Sequence, residues 1–124
     1  MAKKAPISKV DAMFRAFSDR TRLRILHMLR GGELCVCDIQ SVLRVPQPKV
    51  SRHLAYLRKA GLVTARKDGL WSYYELAPSR DPFHAKLLEC LGCCFGSVPE
   101  LAKDAERLGR VKCTASCDTG CCGS

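Results

Sequence analysis

The chain lacks any long apolar run: its mean hydropathy is -0.09 over 124 residues, which argues against a membrane-spanning helix. Its opening residues, Met1-Ala2-Lys3-Lys4-Ala5-Pro6, lead into no apolar segment of the kind a secretory signal needs, so a cytoplasmic location is expected. No repeat of fixed period appears. Acidic residues are scarce: 12 Asp and Glu stand against 21 Lys and Arg, a net charge of +9. The excess is uneven, because residues 1–31 and residues 44–80 each carry +6, whereas the segments that follow them are slightly acidic. A basic front of this kind fits a polyanionic partner, most simply nucleic acid. The length suits one small domain with an appendage, and 47% apolar residues suffice for a packed interior.

Cysteine, by contrast, is abundant. Nine occur, at 35, 37, 90, 93, 94, 113, 117, 121 and 122. The number is odd and a cytosol is reducing, so thiolate ligation or redox sensing is expected rather than a disulfide framework.

The apolar pattern is largely helical. Val10, Met13, Phe14 and Phe17 define a first helix that ends near Ser18-Asp19, and Leu23, Leu26 and Leu29 a second that stops at Gly31-Gly32. Val36, Ile39, Val42 and Leu43 predict a third, of about ten residues, broken at Val45-Pro46-Gln47-Pro48. A fourth, Pro48 to Ala60, divides into two faces: Val50, Leu54 and Leu57 on one, Lys49, Arg52, His53, Tyr56 and Lys59 on the other. Two β-prone runs flank Asp68-Gly69 and predict a two-stranded ribbon. Phe83, Leu87, Leu91 and Cys94 mark a fifth helix. Ser97-Val98-Pro99-Glu100 has the form of a capping box opening a sixth, ended by Gly109.

A short helix, a tight turn, an amphipathic basic helix and a ribbon make a winged helix-turn-helix. The expected class is therefore mainly α with a two-stranded β-hairpin, forming a DNA-binding and dimerisation domain over residues 1–96. A C-terminal helix and cysteine-rich tail would fill residues 97–124. The fourth helix offers a polar face that the major groove admits while its apolar face docks on the core. Lys49, Arg52 and Lys59 are expected at phosphates or bases, with Gln47, Ser51 and His53 supplying hydrogen bonds and Tyr56 sharing their face. Arg66 and Lys67 of the wing are expected at backbone phosphates. Trp71, Tyr73 and Tyr74 read as packing residues of the ribbon.

Two stretches, Glu33-Leu34-Cys35-Val36-Cys37-Asp38 and Gln47 through Val63, closely resemble the arsenical-sensing repressors of the ArsR/SmtB family, as do Ser18 to Leu26 and the wing Gly69 to Tyr74. The resemblance covers about residues 9 to 95. It implies a homodimer, paired through its first and fifth helices, that binds operator DNA as a repressor and leaves it when a metalloid binds. The inducer would be As(III), with Sb(III) or methylarsenite as further candidates.

Trivalent arsenic is soft and favours three thiolates. Cys35 and Cys37 match the family's Cys-Val-Cys-Asp site and are the first choice, although the prototype's third cysteine is Gln40 here. Residues two apart on a regular helix do not face one another, so gripping one ion requires the helix start to unwind; this is the family's proposed switch. Cys90, Cys93 and Cys94, spaced i, i+3 and i+4, share one arc of an undistorted helix and are the second choice. Cys121 and Cys122 resemble the thiol pairs of relatives that respond to methylated arsenicals. Cys90-x2-Cys93 with Cys113-x3-Cys117 approaches a zinc-ribbon spacing, one residue too wide. The family's zinc-sensor pattern is incomplete, since Asp81 and His84 lack a downstream His partner. His27 and His84 read as surface or packing residues. A thiol redox sensor or a Zn- or Cd-responsive repressor on the same scaffold are the alternatives. A thiol enzyme using Cys90-Leu91-Gly92-Cys93 is disfavoured because a helix, not a strand, precedes that pair.

Overall fold

Asp19 divides the first two helices. In the computed structural model, which describes residues 6–93 and 97–114, α1 (Ile7–Phe17) closes with the Ser18 hydroxyl donating to the Arg15 carbonyl at 2.7 Å. Asp19 then takes an extended conformation and its carboxylate accepts the Arg22 N–H at 3.0 Å, capping α2 (Arg20–Met28). Such a cap stabilises a helix by about 1 kcal/mol over alanine. A 3₁₀ turn, Leu29–Gly31, and Gly32 at φ 126° end the second helix. Two residues of strand, β1 (Leu34–Cys35), lead directly into α3 (Val36–Leu43). Arg44, left-handed at φ 58°, terminates α3 and turns the chain towards α4 (Gln47–Lys59). Pro48 lies in the first turn of α4, where its missing N–H leaves no bond unmade. The ribbon is β2 (Val63–Asp68) and β3 (Trp71–Leu76), followed by α5 (Pro82–Cys93) and α6 (Pro99–Thr114).

The apolar faces converge on one core. Ile25 and Leu26 of α2, Ile39 and Val42 of α3, and Val50, Leu54 and Leu57 of α4 are fully buried, with Met13 from below and Leu91 from α5. Burial of side chains this size is worth about 1.5–3 kcal/mol each. The two-faced reading of the fourth helix therefore holds residue for residue on its apolar side.

Three details differ from expectation. First, the ribbon gains a third strand: the sheet runs β1-β3-β2, antiparallel throughout, with Leu34 opposite Tyr74 and Cys35 opposite Tyr73. A two-residue strand is too short to display the alternation by which strands are recognised. Second, the hairpin turn is Gly69-Leu70, because Asp68 still pairs with Trp71; Gly69 supplies the positive φ, 66°, that the turn demands. Third, α6 continues through Gly109 instead of stopping there. An interior glycine costs a helix about 1 kcal/mol, which packing of α6 on α2 and α3 outweighs. The first backbone bond of α6 runs from Ala102 to Val98, placing Pro99 at the first helical position.

The helix α6 is fastened by a buried ion pair. Arg24 donates through Nε and Nη2 to both carboxylate oxygens of Asp104, at 2.7 and 2.8 Å. Asp104 is 1% exposed, and its hydrogen bond holds the Arg24 guanidinium above its ordinary pKa. The two histidines read as packing or surface residues are both buried, and among the described residues the ring nitrogens of His84 meet no hydrogen-bond partner. No described helix is long and apolar enough to cross a membrane.

Candidate nucleic-acid interface and thiol site

The polar side of α4 is open to solvent. Gln47, Lys49, Arg52, Tyr56 and Lys59 are exposed, and Ser51 and His53 half-buried, so the structure brings all seven of the expected α4 residues to one element. Four of them, Lys49, Arg52, His53 and Tyr56, meet Arg22 of α2 around a cavity of about 330 Å³. The concave, cationic lining suits an anionic oxygen of phosphate size and charge.

Arg22 belongs to this site, although the sequence pattern placed it only within a basic segment. Its Nε donates to the Ala16 carbonyl at 3.1 Å and its Nη2 to the Arg15 carbonyl at 2.9 Å, so it satisfies the end of α1. The same guanidinium stacks on the Tyr56 ring, 4.1 Å from the centroid. One side chain thus ties α1 to the polar side of α4. His53 lies 3.9 Å from the Asp19 carboxylate. Burial depresses its pKa below the ordinary 6.5; Asp19 opposes this, and the charges of Arg22, Lys49 and Arg52 add to the depression. Asp19 itself titrates low: partial burial works against its carboxylate, but the Arg22 N–H and the charges of Arg22 and His53 prevail.

In the wing, Lys67 is exposed, and Leu70 stands 90% exposed at the tip. Arg66 is already engaged. It forms a two-pronged pair with Glu33, Nε to Oε2 at 2.9 Å and Nη2 to Oε1 at 2.6 Å, and lies 4.6 Å over the Tyr73 ring. The shared hydrogen bonds raise the pKa of Arg66 and lower that of Glu33. To meet a phosphate through its Nε–Nη2 edge, Arg66 would have to leave Glu33; Nη1 lies outside that pair. Trp71, Tyr73 and Tyr74 are all half-buried, and Tyr74 packs against the core.

The first-choice thiols sit where β1 becomes α3. Cys35 is 2% exposed, in extended backbone as the N-cap of α3. Cys37, half-buried, occupies the first turn, its carbonyl accepting the Ser41 hydroxyl at 2.8 Å. Gln40, in the position of the missing third thiol, is half-buried one turn on. On α5, Cys90 is half-buried and Cys93 exposed. Cys94, Cys121 and Cys122 lie outside the described residues, as do Cys117 and the side chain of Cys113. Among the described residues no three His, Cys, Asp or Glu side chains gather closely enough to hold a metal ion.

A basic helix after a tight turn, docked on a helical core and followed by a wing, defines a winged helix-turn-helix DNA-binding regulator. The profile described as "Bacterial regulatory protein, arsR family" matches residues 19–65. The arsenical resistance operon repressor of Escherichia coli K12 is 46% identical over 78 residues, 62% of this chain and 67% of that protein. The arsenic resistance transcriptional regulator ArsR2 of Pseudomonas putida is 36% identical over 111 residues, 89% of this chain and 95% of its own length. Among solved structures, the homodimeric winged helix-turn-helix DNA-binding domain Mb0332 of Mycobacterium bovis superposes with a TM-score of 0.61 at 28% identity, covering 74% of this chain and 87% of that one. The chain belongs to the arsR family of bacterial regulatory proteins, on its arsenical branch, and is a transcriptional repressor rather than an enzyme.

Proposed function

We propose that the protein represses transcription as a homodimer on operator DNA and lets go when a trivalent arsenical takes the thiols of Cys35 and Cys37. As(III) is the expected inducer, with Sb(III) and methylarsenite sharing its affinity for sulfur. The observation that carries this reading is the position of the two cysteines: one ends β1 and the other lies in the first turn of α3, the helix that precedes the recognition helix α4.

The residues divide the work. Lys49, Arg52 and Lys59 meet phosphates or base edges, Gln47, Ser51 and His53 donate or accept at the groove, and Lys67 meets the backbone from the wing. The basic cradle around Arg22 and Tyr56 receives a phosphate. Dimerisation uses the apolar surface of α1, where Ile7 is 81% and Phe14 54% exposed and Phe14 packs edge-on against Phe83 of α5, ring centroids 5.3 Å apart. Two recognition helices so joined would read half-sites about one helical turn apart.

Arsenous acid exchanges one hydroxyl per thiol, releasing one water for each As–S bond at constant oxidation state. Cys35 and Cys37 fit that donor chemistry, being thiols, but one is buried in extended backbone and the other lies in a helical turn. Because Cys35 lies just before α3 and not on it, drawing the two sulfurs onto one arsenic distorts the junction of β1 and α3 and shifts α4, which packs on α3. Coupling of this kind typically changes affinity about 5- to 150-fold.

The test is fluorescence anisotropy of a labelled duplex, recovered by the protein from a randomised library, with low-micromolar arsenite under strong reductant. Cys35→Ser and Cys37→Ser should each abolish release while leaving DNA binding intact. Release that survives both substitutions but fails in Cys93→Ser would move the site to α5, and absence of any arsenite response in the wild type overturns the reading.

A further inference from the structure

We propose that Arg66 and Glu33 form a clasp that positions the wing on its duplex, and that thiol ligation at Cys35 opens it. Arg66 is on this account a positioning residue of the DNA-binding surface and not a phosphate contact. The second half rests on the reading of Cys35 and Cys37 as inducer ligands.

The register sets the argument. Cys35 pairs with Tyr73 across β1 and β3, and Tyr73 pairs with Arg66 across β3 and β2. The three therefore form one row across the sheet, and residues directly opposite on antiparallel strands point to the same face. Glu33 is two residues before Cys35, and along an extended chain that spacing returns to the same face. Its carboxylate reaches across to the Arg66 fork at 2.6 and 2.9 Å, while the guanidinium rests on the ring of Tyr73. Glu33 and Arg66 are 33 residues apart, and the contact ties the wing to the segment that carries the thiol.

The attachment is built to be released. β1 is two residues long, so few ladder bonds hold it to β3, and the ion pair is half open to water, with side-chain exposures of 52% for Arg66 and 29% for Glu33. Cys35 is buried in this row, so exposing its sulfur calls for β1 to lift from β3. Drawing Cys35 towards Cys37 removes Glu33 from Arg66 in the same movement. The wing then loses its lateral support, independently of any shift in α4.

The clasp and a phosphate contact predict opposite signs. Glu33→Gln deletes a negative charge near a polyanion and liberates Arg66; if Arg66 served a phosphate, the duplex would bind more tightly. The clasp predicts weaker binding, about three- to fivefold at moderate salt for a pair this exposed. Arg66→Lys keeps the charge but loses the fork, and should be as weak as Glu33→Gln. The double variant Glu33→Gln/Arg66→Gln should be no weaker than Arg66→Gln alone. Binding of Glu33→Gln equal to or tighter than wild type overturns the clasp.

Trp71, the single tryptophan, lies on β3 beside this row and reports the second half. Arsenite added to the DNA-free dimer should change its emission, with no change in Cys35→Ser, and Glu33→Gln, which favours the open state, should take up arsenite more tightly than wild type. Arsenite that is retained through desalting and releases the duplex, yet leaves Trp71 emission unmoved, overturns the proposed opening while the inducer reading stands. Arsenite that is neither retained nor active on DNA overturns the inducer reading and the opening with it, leaving the clasp to the Glu33→Gln result alone.

Discussion

Replacing Asp104 with asparagine should loosen α6 from the winged-helix core without altering the side chain's shape. The carboxylate accepts two bonds from Arg24, at 2.7 and 2.8 Å, and its side chain is 1% exposed against 20% for Arg24. Asparagine keeps one acceptor, turns an amide N–H₂ towards the second guanidinium nitrogen, and removes the counter-charge. A charge-assisted bond contributes about 1.5–3 kcal/mol, and breaking a fully buried pair costs about 3–5 kcal/mol. Because Arg24 can turn part of its guanidinium to water, the expected loss is smaller, about 2 kcal/mol. For a chain of this size that lowers the melting temperature by about 6–10 °C. Urea and thermal unfolding followed by far-ultraviolet circular dichroism would read it, at one fixed protomer concentration because the proposed dimerisation would make stability depend on it. Lys86→Gln is the control: its partner Glu89 and Lys86 itself are 63% and 79% exposed, so the change should stay within about 0.5 kcal/mol. An Asp104→Asn loss no larger than that of the control would refute the claim that this pair fastens α6.

Two further predictions concern charge. Arg52→Ala should weaken duplex binding across sequences and reduce the slope of log affinity against log salt by about 1, as one lost phosphate contact requires; an unchanged slope would remove Arg52 from the backbone contacts. Stability should fall as pH drops through the ordinary histidine range. Burial depresses the pKa of His84 and of His27, and for His84 this prevails over the opposing charge of Asp81. The unfolded chain therefore binds more protons there, so the stabilisation is complete above about pH 6.5 and is lost on acidification towards the folded values. His84→Leu should flatten that decline, and an equally steep profile in the variant would show that another group is responsible. A second decline, below the carboxylate range, follows from Asp19 and Asp81, whose folded values are depressed.

The elements whose function depends on one repeating face were legible in the sequence. α4 displayed its two faces because three apolar residues at helical spacing must meet the core, and Val50, Leu54 and Leu57 are all fully buried. The hairpin followed from glycine's tolerance of positive φ, although pairing extends through Asp68 and moves the turn by one residue. What escaped the sequence depends on distant partners. Arg22 reads as one more basic residue until α2 is packed beside α4 and its guanidinium finds Tyr56. The pairing of Arg66 was hidden in the same way: its charge was visible, but Glu33, 33 residues upstream, was not visible as its partner. Likewise β1 carries no periodic signature, and its pairing with β3 is the feature that sets Cys35 beside the wing.

The decisive measurement is the arsenic-edge absorption spectrum of arsenite-loaded protein, compared across single Cys→Ser variants. It counts the sulfurs around the arsenic and identifies them by loss. The account predicts a sulfur-rich shell that loses sulfur in Cys35→Ser and in Cys37→Ser and is unchanged in Cys90→Ser and Cys93→Ser. A shell that stays intact without Cys35 and Cys37 would contradict it.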